Sequence, residues 1–350
     1  MTINIGNSSI INIYIGDTAV KSVYLGDNLV YSKQTEPEIE IDDSYNYYVL
    51  DTSKVSGSTT VKLEDCRNSL GDTTEWDGLT DWGDGSINTS ISHTYAEDGE
   101  YEVKTKHFVR AAQDSNTALM LIKCLSINKN ITDYSRLFYY CSNLTYINTS
   151  KFNTSKVTTM KQMFFNCNSL TSLDLSNWNT DSITNTVQMF GYCNNLISLD
   201  LSNWTNSNLT DVAGMFLHCD NLVSLNLSNF NTENVINMER MFQYCYSLTS
   251  LDLSSFDTSK VTTMSSMFNG SALTSLDLSN FNVNKVTDMQ NMFGDCSNLT
   301  SLNLSKWNMD KVINYNYMLS GCANLTINNI IMTGCNSPTQ FKIQEALSAK

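Results

Sequence analysis

One unit of 26 residues recurs through the second half of this chain. A Met-Phe pair marks each unit, and successive pairs lie 26 residues apart except for one interval of 25. Because a unit of this length cannot bury its own apolar side, such repeats fold by stacking into a solenoid. The pairs begin at Met163, Met189, Met215, Met241, Met267 and Met292, with Leu137 and Met318 as outer variants.

Each unit also contains a Leu-x-Leu-Ser segment, as in Leu251–Ser254. Alternation puts both leucines on one face of a short strand and the intervening residue on the other face. Stacking therefore predicts an exposed row, which is the candidate contact surface. Its members are Asp174, Asp200, Asn226, Asp252, Asp277 and Asn303, beside Ser172, Ser198, Ser224, Ser250, Ser275 and Ser301. The alternative is that these are soluble strand residues that only discourage edge pairing.

The segment around each Met-Phe pair has apolar residues at helical spacing. Val261, Met264 and Met267 show this pattern, which predicts one or two helical turns facing the strand. A unit is therefore expected to be one strand followed by one short helical segment.

Seven of the ten cysteines lie four residues after the start of a pair. This placement predicts a buried column of reduced thiols, since free cysteine behaves as a small apolar residue. Zinc sites need Cys-x-x-Cys or paired histidines, and His93, His107 and His218 are isolated. We therefore expect no metal and no cofactor. The column consists of Cys141, Cys167, Cys193, Cys219, Cys245, Cys296 and Cys322.

Two other patterns precede the repeat. Ile5-Gly6, Ile15-Gly16 and Leu25-Gly26 are spaced by ten residues, which predicts short strands joined by glycine turns. Further on, Asp81-Trp82-Gly83-Asp84-Gly85 predicts a tight hairpin, with Trp82, Tyr95 and Tyr101 filling a small β-sandwich core. The alternative for this hairpin is a calcium loop that uses Asp81, Asp84 and Ser86.

The predicted fold class is mostly β with short helices. The domains are an N-terminal β attachment module at 1–33, a linker at 34–40, an Ig-like β-sandwich at 41–130, the solenoid at 131–325 and a C-terminal cap at 326–350.

Charge and hydropathy narrow the function classes. The formal net charge of -14 argues against nucleic acid and against anionic membrane surfaces. No apolar run approaches the ~20 residues that span a bilayer, so we expect no membrane insertion. The N-terminal residues also lack a basic segment before an apolar one, which predicts that the general secretory route is not used.

Three resemblances follow from these motifs. The unit Leu-Asp-Leu-Ser-x-Phe/Trp…Val-x-x-Met-x-x-Met-Phe-x-x-Cys-x-x-Leu resembles the BspA-type leucine-rich repeat, catalogued as a domain of unknown function in bacterial surface proteins. Trp-Gly-Asp-Gly-Ser…His-Thr-Tyr…Gly-x-Tyr-x-Val resembles the PKD family of Ig-like domains. The Tyr-Ile-Gly-Asp and Tyr-Leu-Gly-Asp segments are similar to N-terminal modules of bacteriophage structural proteins. The first two resemblances imply adhesion or protein contact.

These observations predict a non-enzymatic surface protein of a bacteriophage or a phage-tail-like particle. Residues 1–33 would dock onto other virion structural proteins, and the solenoid would contact a host surface protein or glycan. Several symmetric copies are expected in such a particle. The alternative is a bacterial cell-surface adhesin with the same binding role. A glycan hydrolase would need a single carboxylate pair across a cleft, whereas the Asp row repeats in most units.

Overall fold

The computed structural model describes residues 22–25, 28–32, 46–65, 79–90, 92–105, 109–111, 115–127 and 132–349. Residues 1–42 and 43–350 form two compact units. In the first, β1 (Ser22–Leu25) and β2 (Asn28–Ser32) pair antiparallel on either side of the Gly-Asp pair at which the sequence predicts a turn. The other predicted strands of residues 1–33 and the linker at 34–40 lie outside the described residues.

The second unit begins with two sheets. Their strands are β3 (Asn46–Asp51), β4 (Thr60–Asp65), β5 (Thr80–Asp81), β6 (Ile87–Asn88), β7 (Ser92–Thr94), β8 (Glu100–Thr105), β9 (Val109–Ala111), β10 (Leu121–Ser126) and β11 (Tyr146–Ile147). A 3₁₀ turn at Thr52–Lys54 and the helix α1 (Ser115–Met120) lie between their strands in the chain. One sheet has the strand order β11-β10-β3-β8-β5-β6, and the other has the order β7-β4-β9.

The Trp-Gly-Asp-Gly hairpin packs around a buried tryptophan. The Tyr95 hydroxyl donates to the Trp82 carbonyl at 2.9 Å, and both side chains are buried. His93 stacks on the Trp82 ring and hydrogen-bonds Asp84 at 2.7 Å. Gly83 is required here, because it has a φ of +80° and a Cβ would stand 2.5 Å from the Glu102 carbonyl oxygen. Trp82 and Tyr95 thus belong to a core as the sequence predicts, while the PKD resemblance stays a prediction.

The six-stranded sheet continues into the repeat region. β10 pairs antiparallel with β3 on one side and parallel with β11 on the other. The Thr145 amide also donates to the Ile122 carbonyl at 2.9 Å. Hydrogen bonds therefore cross the predicted boundary between residues 130 and 131, and the division into domains stays a prediction.

The repeat units are coils that stack in parallel register. Leu199 pairs with Leu225, and Leu276 pairs with Leu302, so equivalent residues of successive coils lie side by side. The leucine-rich solenoid predicted from the 26-residue period is confirmed. Its strands are β12 (Ser198–Asp200), β13 (Ser224–Asn226), β14 (Ser275–Asp277) and β15 (Ser301–Asn303), and β15 also pairs in parallel with β16 (Ile330–Ile331) of the C-terminal segment.

The Met-Phe segments form turns that hydrogen-bond to the next coil, and not the helical turns expected from their spacing. Gln162 and Asn166 have φ values of 56° and 63°, which interrupt right-handed helix. The amides of Gln162, Phe164 and Asn166 donate to carbonyls of the next coil at 2.8–2.9 Å. A helix would have used these amides within its own coil, whereas stacking requires them between coils.

Aromatic and sulfur columns fill the core. The phenyl rings of Phe138, Phe164, Phe190, Phe216, Phe242, Phe268 and Phe293 stack in succession with centroids 5.5–5.7 Å apart. Beside them, the Cys193 thiol donates to the Phe164 carbonyl at 3.1 Å, and Cys167, Cys219, Cys245, Cys296 and Cys322 make equivalent bonds. The nine cysteines of the described residues are buried thiols that form no disulfide with one another, as predicted for the column; Cys66 lies outside that part.

The last coil is followed by a 3₁₀ turn at Ile327–Asn329, by β16, and by the helix α2 (Ser337–Ser348). Asn336 caps the helix by accepting from the Thr339 amide at 3.0 Å. Thr339 in turn accepts from the Met309 amide, and Lys342 donates to the carbonyls of Met309 and Val312 at 2.8 Å. The helix therefore supplies partners to backbone groups of the last coil. No helix among the described residues is long and apolar enough to cross a membrane.

Candidate binding surfaces

The predicted Asp/Asn row lies along one side of the solenoid. Asp200 pairs in register with Asn226, and Asp277 with Asn303. All six side chains are exposed except that of Asn303, which is half-buried. A shallow depression of about 360 Å³ lies between Asp174 and Asp200. The structure thus brings the six predicted residues into one row.

Each residue of this row also has a structural role. Asp252 accepts from the Ser254 amide at 2.9 Å, and the other five residues accept from the amide two positions on at 2.8–3.2 Å. These are Asx turns that end each strand. The backbone hydrogen bond from Ser254 holds the pKa of Asp252 below its usual value, and bonds from Ser279 do the same for Asp277. Whether the row binds anything stays a prediction.

A second surface was missed by the sequence reasoning. We call it the aromatic ladder, and it runs across successive coils where each Met-Phe segment ends. Neighbouring ring centroids lie 4.5–5.7 Å apart along Phe165, Tyr192, His218, Tyr244 and Tyr246. Tyr140 and Tyr246 are 44% and 53% exposed, and the rings between them are half-buried. The complete ladder is Tyr139, Tyr140, Phe165, Tyr192, His218, Tyr244 and Tyr246.

The backbone under the ladder is left-handed. Tyr140, Tyr192, His218 and Tyr244 have φ values of 56–63°. The equivalent positions of other coils hold Asn166, Asp295 and the glycines 270 and 321, residue types that adopt positive φ at low cost. Bulky side chains at such positions are uncommon. The signal was present in the sequence as a variable column that changes between aromatic and turn-forming residues.

The one short unit leaves a recess beside the ladder. It holds Gly270-Ser271-Ala272 where longer coils have one residue more before the next leucine. A cavity of about 260 Å³, which we call the notch, opens there. It is lined by Tyr244, Tyr246, Gly270, Ser271, Ala272, Asp295, Ser297 and Asn298.

A wider depression of about 440 Å³ adjoins the notch and shares Tyr244 and Asp295 with it. Its floor is an ordered amide chain: Gln243 donates to Asn269 at 2.9 Å, and Asn269 donates to the Gly294 carbonyl at 2.9 Å. His218 lies 3.3 Å from Asp220 at its edge. Rings, amides and charged groups therefore converge on this part of the surface.

Two overlapping segments of the chain, residues 127–225 and 210–331, match the family described as "Mycoplasma protein of unknown function, DUF285". The chain belongs to this family. The match contains the whole aromatic ladder, the notch and the Asp/Asn row. No curated protein matches the chain.

Among solved structures, the chain is similar to the crystal structure of a leucine rich cell surface protein from Faecalibacterium prausnitzii A2-165. The identity is 14%, the match covers 69% of this chain and 87% of that chain, and the TM-score is 0.21. That score is too low for the match to bear on the fold, which rests on the coils described above. The PKD-like and phage-like resemblances have no counterpart in these matches and stay predictions.

Proposed function

We propose that this DUF285 chain is a non-enzymatic binding protein, displayed at a bacterial cell surface, whose solenoid contacts proteins or glycans of other surfaces. The observation that carries the proposal is the aromatic ladder. Half-exposed tyrosines beside an arginine and ordered amides are the composition of binding surfaces, where Tyr and Arg supply most of the interaction energy. The solenoid presents this surface across several coils.

The energetics of the ladder support a role beyond packing. An unfavourable backbone conformation costs on the order of 1 kcal/mol per residue, while each stacked ring pair contributes about 0.5–1.5 kcal/mol. Asn or glycine in the same column would avoid the strain without needing the stack. The ladder is therefore close to neutral for stability, and the exposed ring edges are what it adds to the surface.

For location, the family is described from a bacterial genus. The BspA-type repeat that this solenoid resembles is catalogued in bacterial surface proteins. These points favour the cell surface over the virion. An antibody to residues 131–350 applied to intact cells and to purified phage particles tests this choice. Label on cells supports the proposal, and label confined to particles overturns it in favour of the virion.

The binding role is tested with a variant that carries Tyr192→Asn, His218→Asn and Tyr244→Asn. Asn tolerates positive φ, so the coils should keep their fold. We expect binding of the fluorescent chain to a panel of animal cells, bacterial cells and immobilised glycoproteins to fall about tenfold or more.

The matched control is Tyr317→Asn, because Tyr317 is a tyrosine with a φ of 57° and 64% exposure that lies outside the ladder. It should bind as the unchanged protein does. Equal binding by all three proteins, with melting temperatures alike, would contradict a binding role for the ladder. So would the absence of any binding by the unchanged chain.

A further inference from the structure

We propose that the notch is a binding site for one neutral sugar ring, held between the face of Tyr246 and the polar groups of Asp295, Ser297 and Asn298. This inference rests on the proposed binding function and names a ligand class for one part of the surface.

The notch exists because one coil lacks a residue. In the preceding coil, the exposed residue after Cys245 is Tyr246, and in the following coil the residue after Cys296 is Ser297. The coil between them has Ser271 in the cysteine column, and buried Ala272 follows. No bulky side chain thus stands between Tyr246 and Ser297. Paired strands lie ~4.8 Å apart. The absence of one side chain from this column therefore leaves room for one sugar ring.

One wall of this gap is aromatic. Tyr246 is 53% exposed, and its ring centroid lies 5.7 Å from that of Tyr244 with a tilt of 31°. Tyr244 is held in turn against Gly270, so the two rings have a defined position. An exposed aromatic ring offers apolar surface against which the C–H groups of a pyranose can pack.

The opposite wall is polar. Asp295, Ser297 and Asn298 are all exposed, and they offer a carboxylate, a hydroxyl and an amide. Such groups hydrogen-bond sugar hydroxyls in place of water. Pockets that hold drug-sized molecules have volumes of ~300 Å³ or more. A notch of about 260 Å³ therefore suits a single ring of a larger glycan.

The charges favour a neutral sugar over an acidic one. Asp295 lines the notch. Burial and the negative charges of Asp220 and Asp295 also raise the pKa of the Tyr246 hydroxyl. The same carboxylates repel sialic or uronic acids. The wider depression differs in that Arg240, which pairs with Glu239 at 3.1 Å, also lines it.

The test is saturation-transfer NMR on the full chain with glucose, galactose, N-acetylglucosamine, N-acetylgalactosamine and sialic acid as probes. Two variants alter the notch. An Asn inserted between residues 271 and 272 restores the 26-residue period and should fill the recess, and Tyr246→Ala removes its aromatic wall. Tyr317→Asn is the control, because Tyr317 is an exposed tyrosine that belongs to neither the ladder nor the notch.

We expect saturation transfer to at least one neutral sugar, a loss of about tenfold or more in affinity for both notch variants, and no change for Tyr317→Asn. The sugar that binds is then offered within a mucin-type glycan and within a bacterial wall polysaccharide. Binding to either supports the site and identifies its source.

Three results overturn the proposal: no neutral sugar binds, sialic acid binds as well as the neutral sugars, or the inserted Asn leaves binding unchanged. In each case the cell-binding measurement with the ladder variant still stands. Failure of the notch is therefore distinguishable from failure of the binding function. Melting curves of the insertion variant show whether it is folded, and Tyr246→Ala gives the answer independently if it is not.

Discussion

The ring of Tyr244 lies directly on Gly270 of the next coil. A Cβ built on Gly270 would stand 2.5 Å from Cδ1 and 2.9 Å from Cε1 of that ring. The backbone of Gly270 also has a φ of +69°. One residue therefore sets the position of the ring that separates the wide depression from the notch.

Gly270→Ala should destabilise the solenoid and displace Tyr244. We expect about 1 kcal/mol from the left-handed backbone and a further 1–3 kcal/mol or so from overpacking against the ring. Urea unfolding measures the sum. Gly57→Ala is the control, because Gly57 has a φ of +76° and no atom within 4 Å of a Cβ; it should show the backbone cost alone. Equal losses for the two variants would mean that Tyr244 moves freely.

The cysteine column should make stability fall at alkaline pH. Burial raises the pKa of Cys193 and Cys245 to about 12 and that of Cys296 to about 11, from an ordinary value near 9. The thiol pKa is higher in the folded chain than in the unfolded one. The stability that the buried neutral thiols contribute is therefore fully present below pH ~9 and is lost as the pH rises toward 12. Each such thiol contributes up to ~1.4 kcal/mol per pH unit to the slope.

The measurement is the free energy of unfolding in urea between pH 8 and about 11. Cys193→Ala, which removes one titrating thiol, should reduce the slope. A slope identical in the two proteins would show that the Cys193 thiolate forms as easily in the folded chain as in the unfolded one. Thiol reagents at neutral pH should label the nine described cysteines only after unfolding.

Buried threonines should hold neighbouring coils together. Thr232 is almost fully buried, donates to the Asp257 carbonyl at 2.9 Å and accepts from the Asp257 amide at 2.8 Å. Thr232→Val keeps the shape but removes both bonds, so we expect a loss of about 2–4 kcal/mol. Thr262→Val is the matched control, since the exposed Thr262 makes only one such bond, to Ile236; it should cost less than ~1 kcal/mol. Thermal unfolding of the two variants measures both losses. Equal losses would contradict the role given to the buried Thr232 bonds.

Loss of negative charge from the Asp/Asn row should not change the stability of the fold, whereas loss of the side-chain oxygen that accepts the amide hydrogen bond should lower it. Asp252→Asn keeps the acceptor for the Ser254 amide, and Asn already stands in this row at 226 and 303. We expect its stability to change by less than ~0.5 kcal/mol, and that of Asp252→Ala to fall by about 1 kcal/mol. If Asp→Asn changes at 174, 200, 252 and 277 together also leave cell binding unchanged, the row only ends the strands. A loss of binding without a loss of stability would support it as a contact surface.

Much of the solenoid could be predicted from the sequence because its core is one-dimensional. Each Leu, Met, Phe and Cys column recurs at a fixed interval, and stacking places equivalent residues side by side whatever the conformation between them. This is why the burial of Cys193 and the alignment of Asp200 with Asn226 were both foreseeable.

The turn conformations were not foreseeable in the same way. Val261, Met264 and Met267 have helical spacing, yet Ser266 has a φ of 56°. Spacing reports which side chains share a face, and it does not report whether an amide bonds within its own coil or to the next one. The competition between those two bonds is settled only when the coils meet.

The sequence by itself determined the period, the core columns and the exposed row, since these depend on which residues recur. Only the tertiary structure decided that Tyr192, His218 and Tyr244 form one stack, and that a single missing residue opens a notch beside Tyr246. Both features depend on residues that break the repeat, and their consequence depends on which neighbours the adjacent coils bring against them.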